Sequence, residues 1–373
     1  MAGSGGTGAA AQGGTSTAGS SDGGRAPIGG APTVDYGDAT PPVAEWTNVT
    51  NNLAGLSSEC GNMGGVFPSP YVDVLSVGVA RQGLWSSKDG GATYQQTGMG
   101  GDKILNRLIS IIWDPTTTST FWYSGIYGWE SPFTDSVLMT TDNGNSFKGY
   151  GALAMIQSTN DSISVDFSDP ARKTLLSGGH EQTQVLFRST DAGDTWTDIG
   201  HSLPAADGFC TNTLVLDAKT FLVGCAASYS GKAGAIVRST DGGDTWSQVS
   251  GKGVSGVPLR TADGTIYWAG EGGGVYKSTD DGQHFDSVAD ANTAGAVRPI
   301  ELPGGRIVSL AQRVLKGSVD GGATWQPIGT ALPFDPSGIS YSPFRRAFYA
   351  WHFDCGNAVL ADAIMRSGYD FKQ

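Results

Sequence analysis

Residues Ser189–Trp196 read STDAGDTW and Ser239–Trp246 read STDGGDTW. Four further copies of the same pattern stand at Ser87–Tyr94 (SKDGGATY), Thr140–Phe147 (TTDNGNSF), Ser278–Phe285 (STDDGQHF) and Ser318–Trp325 (SVDGGATW). The aspartates of the six copies, at 89, 142, 191, 241, 280 and 320, are spaced by 53, 49, 50, 39 and 40 residues. That period is the length of a four-stranded propeller blade rather than of a helical repeat. The chain is an array.

Each copy is entered by a short apolar run (LWS, VLM, VLF, AIV, GVY, RVL) and ends in an aromatic residue. Asp-x-Gly between two such runs is turn chemistry, so each copy predicts a hairpin. The aspartate can accept hydrogen bonds from N–H groups of its own turn, and the glycine can take a left-handed conformation. On these residues the chain resembles the Asp-box (BNR) repeat proteins, a group that includes sialidases and xyloglucanase-type glycosidases. The resemblance covers nearly all of residues 44–373. It implies an all-β propeller with the aspartate turn joining third and fourth strands, at the rim away from the ligand face. It implies little about activity, because one fold hosts many.

Working outward from each turn gives the blades. In blade 2, ISIIWDP is the first strand, TFWYSGI the second, SVLMTT the third and SFKGYG the fourth. Blade 3 repeats this with ISVDFSDP, KTLLSGG, VLFRST and TWTDIG. A seventh blade without the turn motif follows at GISYSPF, RAFYAW and VLADAIMRS, and it lacks an outer strand of its own. The segment Glu45–Leu53 (EWTNVTNNL) matches the fourth strands TWTDIGHSL and TWQPIGTAL in residue type, so it is expected to complete the last blade. Such closure removes the exposed sheet edge. The expectation is a single seven-bladed propeller over residues 35–373, with six blades as the alternative count.

With 57 glycines, 39% apolar and 16% charged residues in 373, the chain has many tight turns and enough apolar content for one large all-β core. Its formal net charge of −12 argues against nucleic acid or an anionic membrane surface as the general partner. Residues 1–34 are rich in Gly, Ser, Thr and Ala without periodicity, the composition of a flexible tether. No stretch is apolar and long enough to span a membrane. A surface-tethered, extracellular or periplasmic monomer is the expectation. Four cysteines suit an oxidising compartment, pairing as Cys210 with Cys225 and Cys60 with Cys355 among three possible connectivities. No spacing suggests a metal site, and no nucleotide, flavin or haem motif is present, so no cofactor is expected.

Propeller ligands bind at the mouth formed by the turns between second and third strands and by the loops entering the first strands. The chain has six Glu against 29 Asp, and Glu59, Glu130, Glu181 and Glu271 fall in those segments. Glu130 and Glu181 occupy the equivalent loop of neighbouring blades, as an acid and base pair on a glycosidic bond would. His180 adjoins Glu181 and is a candidate for proton transfer. Arg81, Arg107 and Arg313 are candidates for clamping an anion, Tyr127, Trp129 and Trp351 for stacking on sugar rings, and His352 for contact beside them. Each also has a plain structural reading, as a solvated loop side chain, a salt bridge or a cover over the channel. By resemblance to sialidases, Arg313 takes the place of a carboxylate-binding arginine, and Tyr341 lies in a segment like the one carrying the nucleophilic tyrosine. The Phe-Arg-Ile-Pro motif of that group is absent, and seven blades of this length are not its six longer ones. Three functions follow: a glycoside hydrolase first, a polysaccharide lyase using His, Tyr and Arg on a uronate second, and a non-catalytic glycan- or protein-binding propeller third.

Overall fold

A computed structural model describes residues 45–58, 63–98, 107–126, 135–150, 160–353, 359–361 and 363–369. Seven four-stranded antiparallel sheets make up the ring, six of them built from consecutive strands. The chain is a seven-bladed β-propeller. Its first strands, which line the central channel, are Met63–Pro68, Arg107–Trp113, Asn160–Val165, Phe209–Val215, Val254–Arg260, Ile300–Leu302 and Gly338–Ser342.

Burial grades from the channel outward, and the sequence follows it. In blades 1, 2, 3, 5, 6 and 7 every residue of the second strand is buried, because both faces of that strand meet a neighbouring blade. Fourth strands such as Gln95–Thr97 and Thr197–Asp198 are short and largely exposed. The apolar core therefore lies in slices between blades. One slice joins Leu302, Val308 and Leu310 of blade 6 to Ile339, Phe348 and Ala350 of blade 7. Near the axis the blades approach closely. A Cβ on Gly178 would stand 2.4 Å from the carbonyl oxygen of Thr211 in the next blade, so only glycine fits there.

The repeated turns join third to fourth strands, as their sequence predicts. In the first, the Ser87 hydroxyl donates to Asp89 (2.8 Å) and accepts from the Gly91 N–H (2.8 Å), while Thr93 donates its N–H (2.9 Å) and hydroxyl (2.6 Å) to the same carboxylate. These bonds, the Thr93 hydroxyl foremost, hold Asp89 at about 2. The turn at Asp320 repeats the arrangement with Thr324 and is also held at about 2. On the same face, Asp114 and Arg172 tie blade 2 to blade 3 through a buried two-pronged ion pair of 2.9 and 3.0 Å.

The ring closes where the sequence places the closure. Thr47–Asn48 pairs antiparallel with Ile364–Gly368 as the outer strand of blade 7. The buried Thr50 hydroxyl accepts the N–H groups of Ala363 (3.0 Å) and Ile364 (2.9 Å). The same segment holds blade 1: Tyr94 donates its hydroxyl to the Val49 carbonyl, and Asn52 exchanges two hydrogen bonds with the Tyr94 backbone. The expected Cys210–Cys225 disulfide joins directly opposed residues of the first and second strands of blade 4. Cys60, Cys355 and the whole of residues 1–34 lie outside the described residues.

Candidate functional site

The antiparallel order sends the turns between second and third strands, and the loops entering the first strands, to one face of the ring. The repeated Asp turns lie on the other. The central channel opens on both faces. A cavity of about 560 Å³ occupies the mouth face and one of about 360 Å³ the opposite face. They meet around Phe67, Val257, Arg298, Ile300 and Ser340.

At the mouth, the pairing of first and second strands slips by one residue in blades 1, 2 and 3, between Met63 and Gly65, Leu108 and Ser110, and Asn160 and Ser162. A bulge re-aims the extra residue. The residues so displaced are Gly64, Ile109 and Asp161, all of which line the mouth cavity, and Asp161 alone of them carries charge. Its neighbour Asn160 is fully buried, accepts from the Ser136 hydroxyl (2.5 Å) and donates to the Ser177 hydroxyl (3.0 Å). That network fixes the backbone from which Asp161 projects.

Asp161 accepts from Nδ1 of His180 at 2.8 Å, and Nε2 of the same ring stands 3.6 Å from Glu181. Asp161 and His180 are mostly buried, whereas the Glu181 side chain is 57% exposed. Burial alone would push the imidazole down. The Asp161 hydrogen bond and the charges of Asp161 and Glu181 outweigh it, so His180 titrates above its ordinary value, with Arg107 opposing the rise. Arg107, at the start of the first strand of blade 2, lies over the Phe353 ring at 5.8 Å. Glu181 has φ of 49°, so the turn carrying it holds a left-handed, non-glycine residue beside the imidazole. The group can exchange a proton: Asp161 fixes the ring, and Nε2 faces a second carboxylate.

Of the residues singled out in the sequence, Arg107, His180 and Glu181 thus come together. Arg313 and His352 form a second rim cluster through Asp335: Arg313 Nε lies 3.8 Å from its carboxylate, and His352 Nδ1 lies 2.8 Å from its carbonyl oxygen. Trp351 is buried in the cavity wall, 6.0 Å from the Phe67 ring. Arg81 stands at the tight turn of blade 1 with φ of 65°. Tyr341 lines the cavity of the opposite face, packed 5.1 Å from the Phe348 ring, and does not reach the mouth. Glu271 serves the frame instead, accepting the N–H groups of Ala227 (2.8 Å) and Ser228 (2.6 Å) of the neighbouring blade. Glu130, Tyr127 and Trp129 lie outside the described residues. Asp161 is the residue that sequence reasoning missed. It sits at the start of the first strand of blade 3, at the register slip.

Among the described residues, one group of possible metal ligands converges, Asp207 with Cys210 and Cys225. The two sulfurs are bonded to each other and so are not free to coordinate.

No family model matches the chain, and no curated protein matches it. Solved structures do match. The extracellular domain of a putative hybrid two-component system from B. thetaiotaomicron superposes with a TM-score of 0.60 at 10% identity, over 88% of this chain and 42% of that one. The GH74 xyloglucanase from Xanthomonas campestris gives 0.54 at 16% identity, over 87% of this chain and 53% of the enzyme. This chain thus spans about half the length of that xyloglucanase. YCF48 from Cyanidioschyzon merolae gives 0.53 at 11% identity, over 87% of this chain and 99% of that one. These are likenesses of fold, and they set the chain among β-propellers.

Proposed function

We propose that this protein is a carbohydrate-active propeller of the cell exterior, a glycoside hydrolase that takes its glycan at the channel mouth. The observation that carries the reading is the imidazole of His180 held between Glu181 and Asp161, the latter of which lines the mouth cavity. Glycoside hydrolysis needs one group to protonate the leaving oxygen and another to activate water or attack the sugar. Glu181, solvent-facing and next to a ring that carries a proton more readily than usual, suits the second role, and imidazolium His180 the first. Asp161 is a positioning residue. Glu130, in the equivalent loop of the preceding blade by sequence, is the candidate second carboxylate. Arg107, Arg313 and Trp351 would hold the sugar, and Gly/Ser-rich residues 1–34 would tether the ring to a surface. The GH74 likeness supports the class of ligand and no particular glycan.

One feature favours elimination as the second reading: Arg107 acts on the imidazole from close by, where it would neutralise a uronate while His180 removed the adjacent proton. A YCF48 structure superposing over 90% of this chain is described as bound to D1 peptide, which keeps a purely binding role as a third outcome.

The test is turnover of neutral and uronate-containing polysaccharides, followed by new reducing ends and by ultraviolet absorbance of unsaturated product. Hydrolysis gives reducing ends alone. Glu181→Gln should retain binding and cut turnover by roughly 100-fold or more, because it keeps shape and removes proton transfer. Near-normal turnover in both Glu181→Gln and His180→Ala would overturn the site, and an ultraviolet-absorbing product would replace hydrolysis by elimination. Binding without cleavage would leave the non-catalytic role.

A further inference from the structure

The cavity on the face of the repeated turns lies at the other end of the channel from the mouth, and two arginines line it, Arg298 and Arg260. Arg298 stands where the two cavities meet, exposed to the water of the channel. One hydrogen bond is seen for its guanidinium, from Nη2 to the Pro258 carbonyl at 3.1 Å, and among the described residues it forms no ion pair. Arg260, whose side chain is 8% exposed, lines the same cavity, and its Nε and Nη2 are buried without a hydrogen-bond partner. Its nearest carboxylate oxygen, on Asp281, is 3.8 Å away, too far for a hydrogen bond.

Burying the Arg260 N–H groups without acceptors is costly, and a fold that needed only a filled wall would place an apolar residue there. Glu301 is the acidic residue of this cavity. Burial, with Asp263 nearby, pushes its carboxyl up, and its Oε2 accepts the Ala262 N–H at 3.3 Å. The remaining wall is aromatic and apolar, with Phe67, Tyr71, Trp113, Phe167 and Tyr341 around the arginines. A cavity of about 360 Å³ with an apolar wall and a localised cation is shaped for a small ligand of matching character.

We propose that this cavity is a second binding site, taking one small organic anion: a carboxylate or sulfonate carried on an apolar or aromatic body, with Arg298 and Arg260 at its charged end. The proposal does not rest on the hydrolase reading.

The experiment is a fluorescence titration of the full chain with anilinonaphthalene sulfonate, displaced by phenylacetate or by its uncharged counterpart phenylacetamide. One saturable site is expected, with phenylacetate competing at least about tenfold better than the amide, since a charge-assisted hydrogen bond is at stake. Arg298→Met should weaken the probe by at least about tenfold with an unchanged melting temperature, Arg298→Lys should weaken it less, and Glu181→Gln should leave it unaltered. If Arg298→Met fails to fold, Trp113→Leu at the aromatic wall carries the same test. Equal competition by acid and amide, unchanged affinity in a folded Arg298 or Trp113 variant, or loss of the probe in Glu181→Gln would each overturn the proposal.

Discussion

Asp161 owes its place in the mouth to one inserted residue, and its consequence is a histidine that holds its proton above the usual range. Replacing Asp161 by Asn should lower the His180 titration midpoint, which an NMR titration of the imidazole reads directly; an unmoved midpoint would assign the rise to Glu181. A raised folded value also has a sign in stability. The contribution is fully present below the ordinary histidine value of about 6.5 and is lost as pH rises through the folded value. Thermal melts across that range should therefore decline in the parent and stay flatter in His180→Gln. The aspartates of the repeated turns act in the opposite sense. Held at about 2, Asp89 and Asp320 stabilise the fold above about 4 and cease to as pH falls through about 2. Asp320→Ala should lower the melting temperature by a few degrees at neutral pH and flatten that acid slope, with ligand binding at the mouth unchanged.

At the level of strands and turns, the Asp114–Arg172 pair joins two loops that are otherwise separate hairpin ends. Asp114→Ala leaves a buried guanidinium unpaired and should cost about 3–5 kcal/mol in denaturant melts. A loss under about 1 kcal/mol would mean that water replaces the carboxylate. The blades were legible in the sequence because Ser-x-Asp-x-Gly marks every third-to-fourth turn but one, and because second strands such as AFYAW are apolar on both faces. The closure was legible because Glu45–Leu53 copies the outer strands. The site was only half legible. Arg107, His180 and Glu181 could be placed by loop order alone. Asp161 was hidden by a one-residue slip that no periodicity records, and by being one of 29 aspartates of which many serve turns. Tyr341 resembled a catalytic segment, but the direction of its strand carries it to the other end of the channel. The channel arginines went unremarked because Arg260 and Arg298 lie in strand and strand-entry positions that read as ordinary surface.

For the ring as a whole, the decisive joint is Thr50. Its hydroxyl alone receives two buried N–H groups of the last blade, so Thr50→Val should destabilise by about 2–5 kcal/mol, the cost of leaving both donors unsatisfied. Preserved stability would mean that the backbone pairing of Thr47–Asn48 suffices to latch the ring. The latch also sets an order in time. The segment at residues 46–50 leaves the ribosome before any blade and finds its partners, Ala363 to Arg366, only after the six intervening blades have been made. Until then, blade 7 has a bare outer edge and blade 1 lacks the segment that receives Tyr94. A nascent chain of this protein is thus held open until residues 363–366 emerge, and its exposure to strand-swapping with neighbouring copies lasts until then.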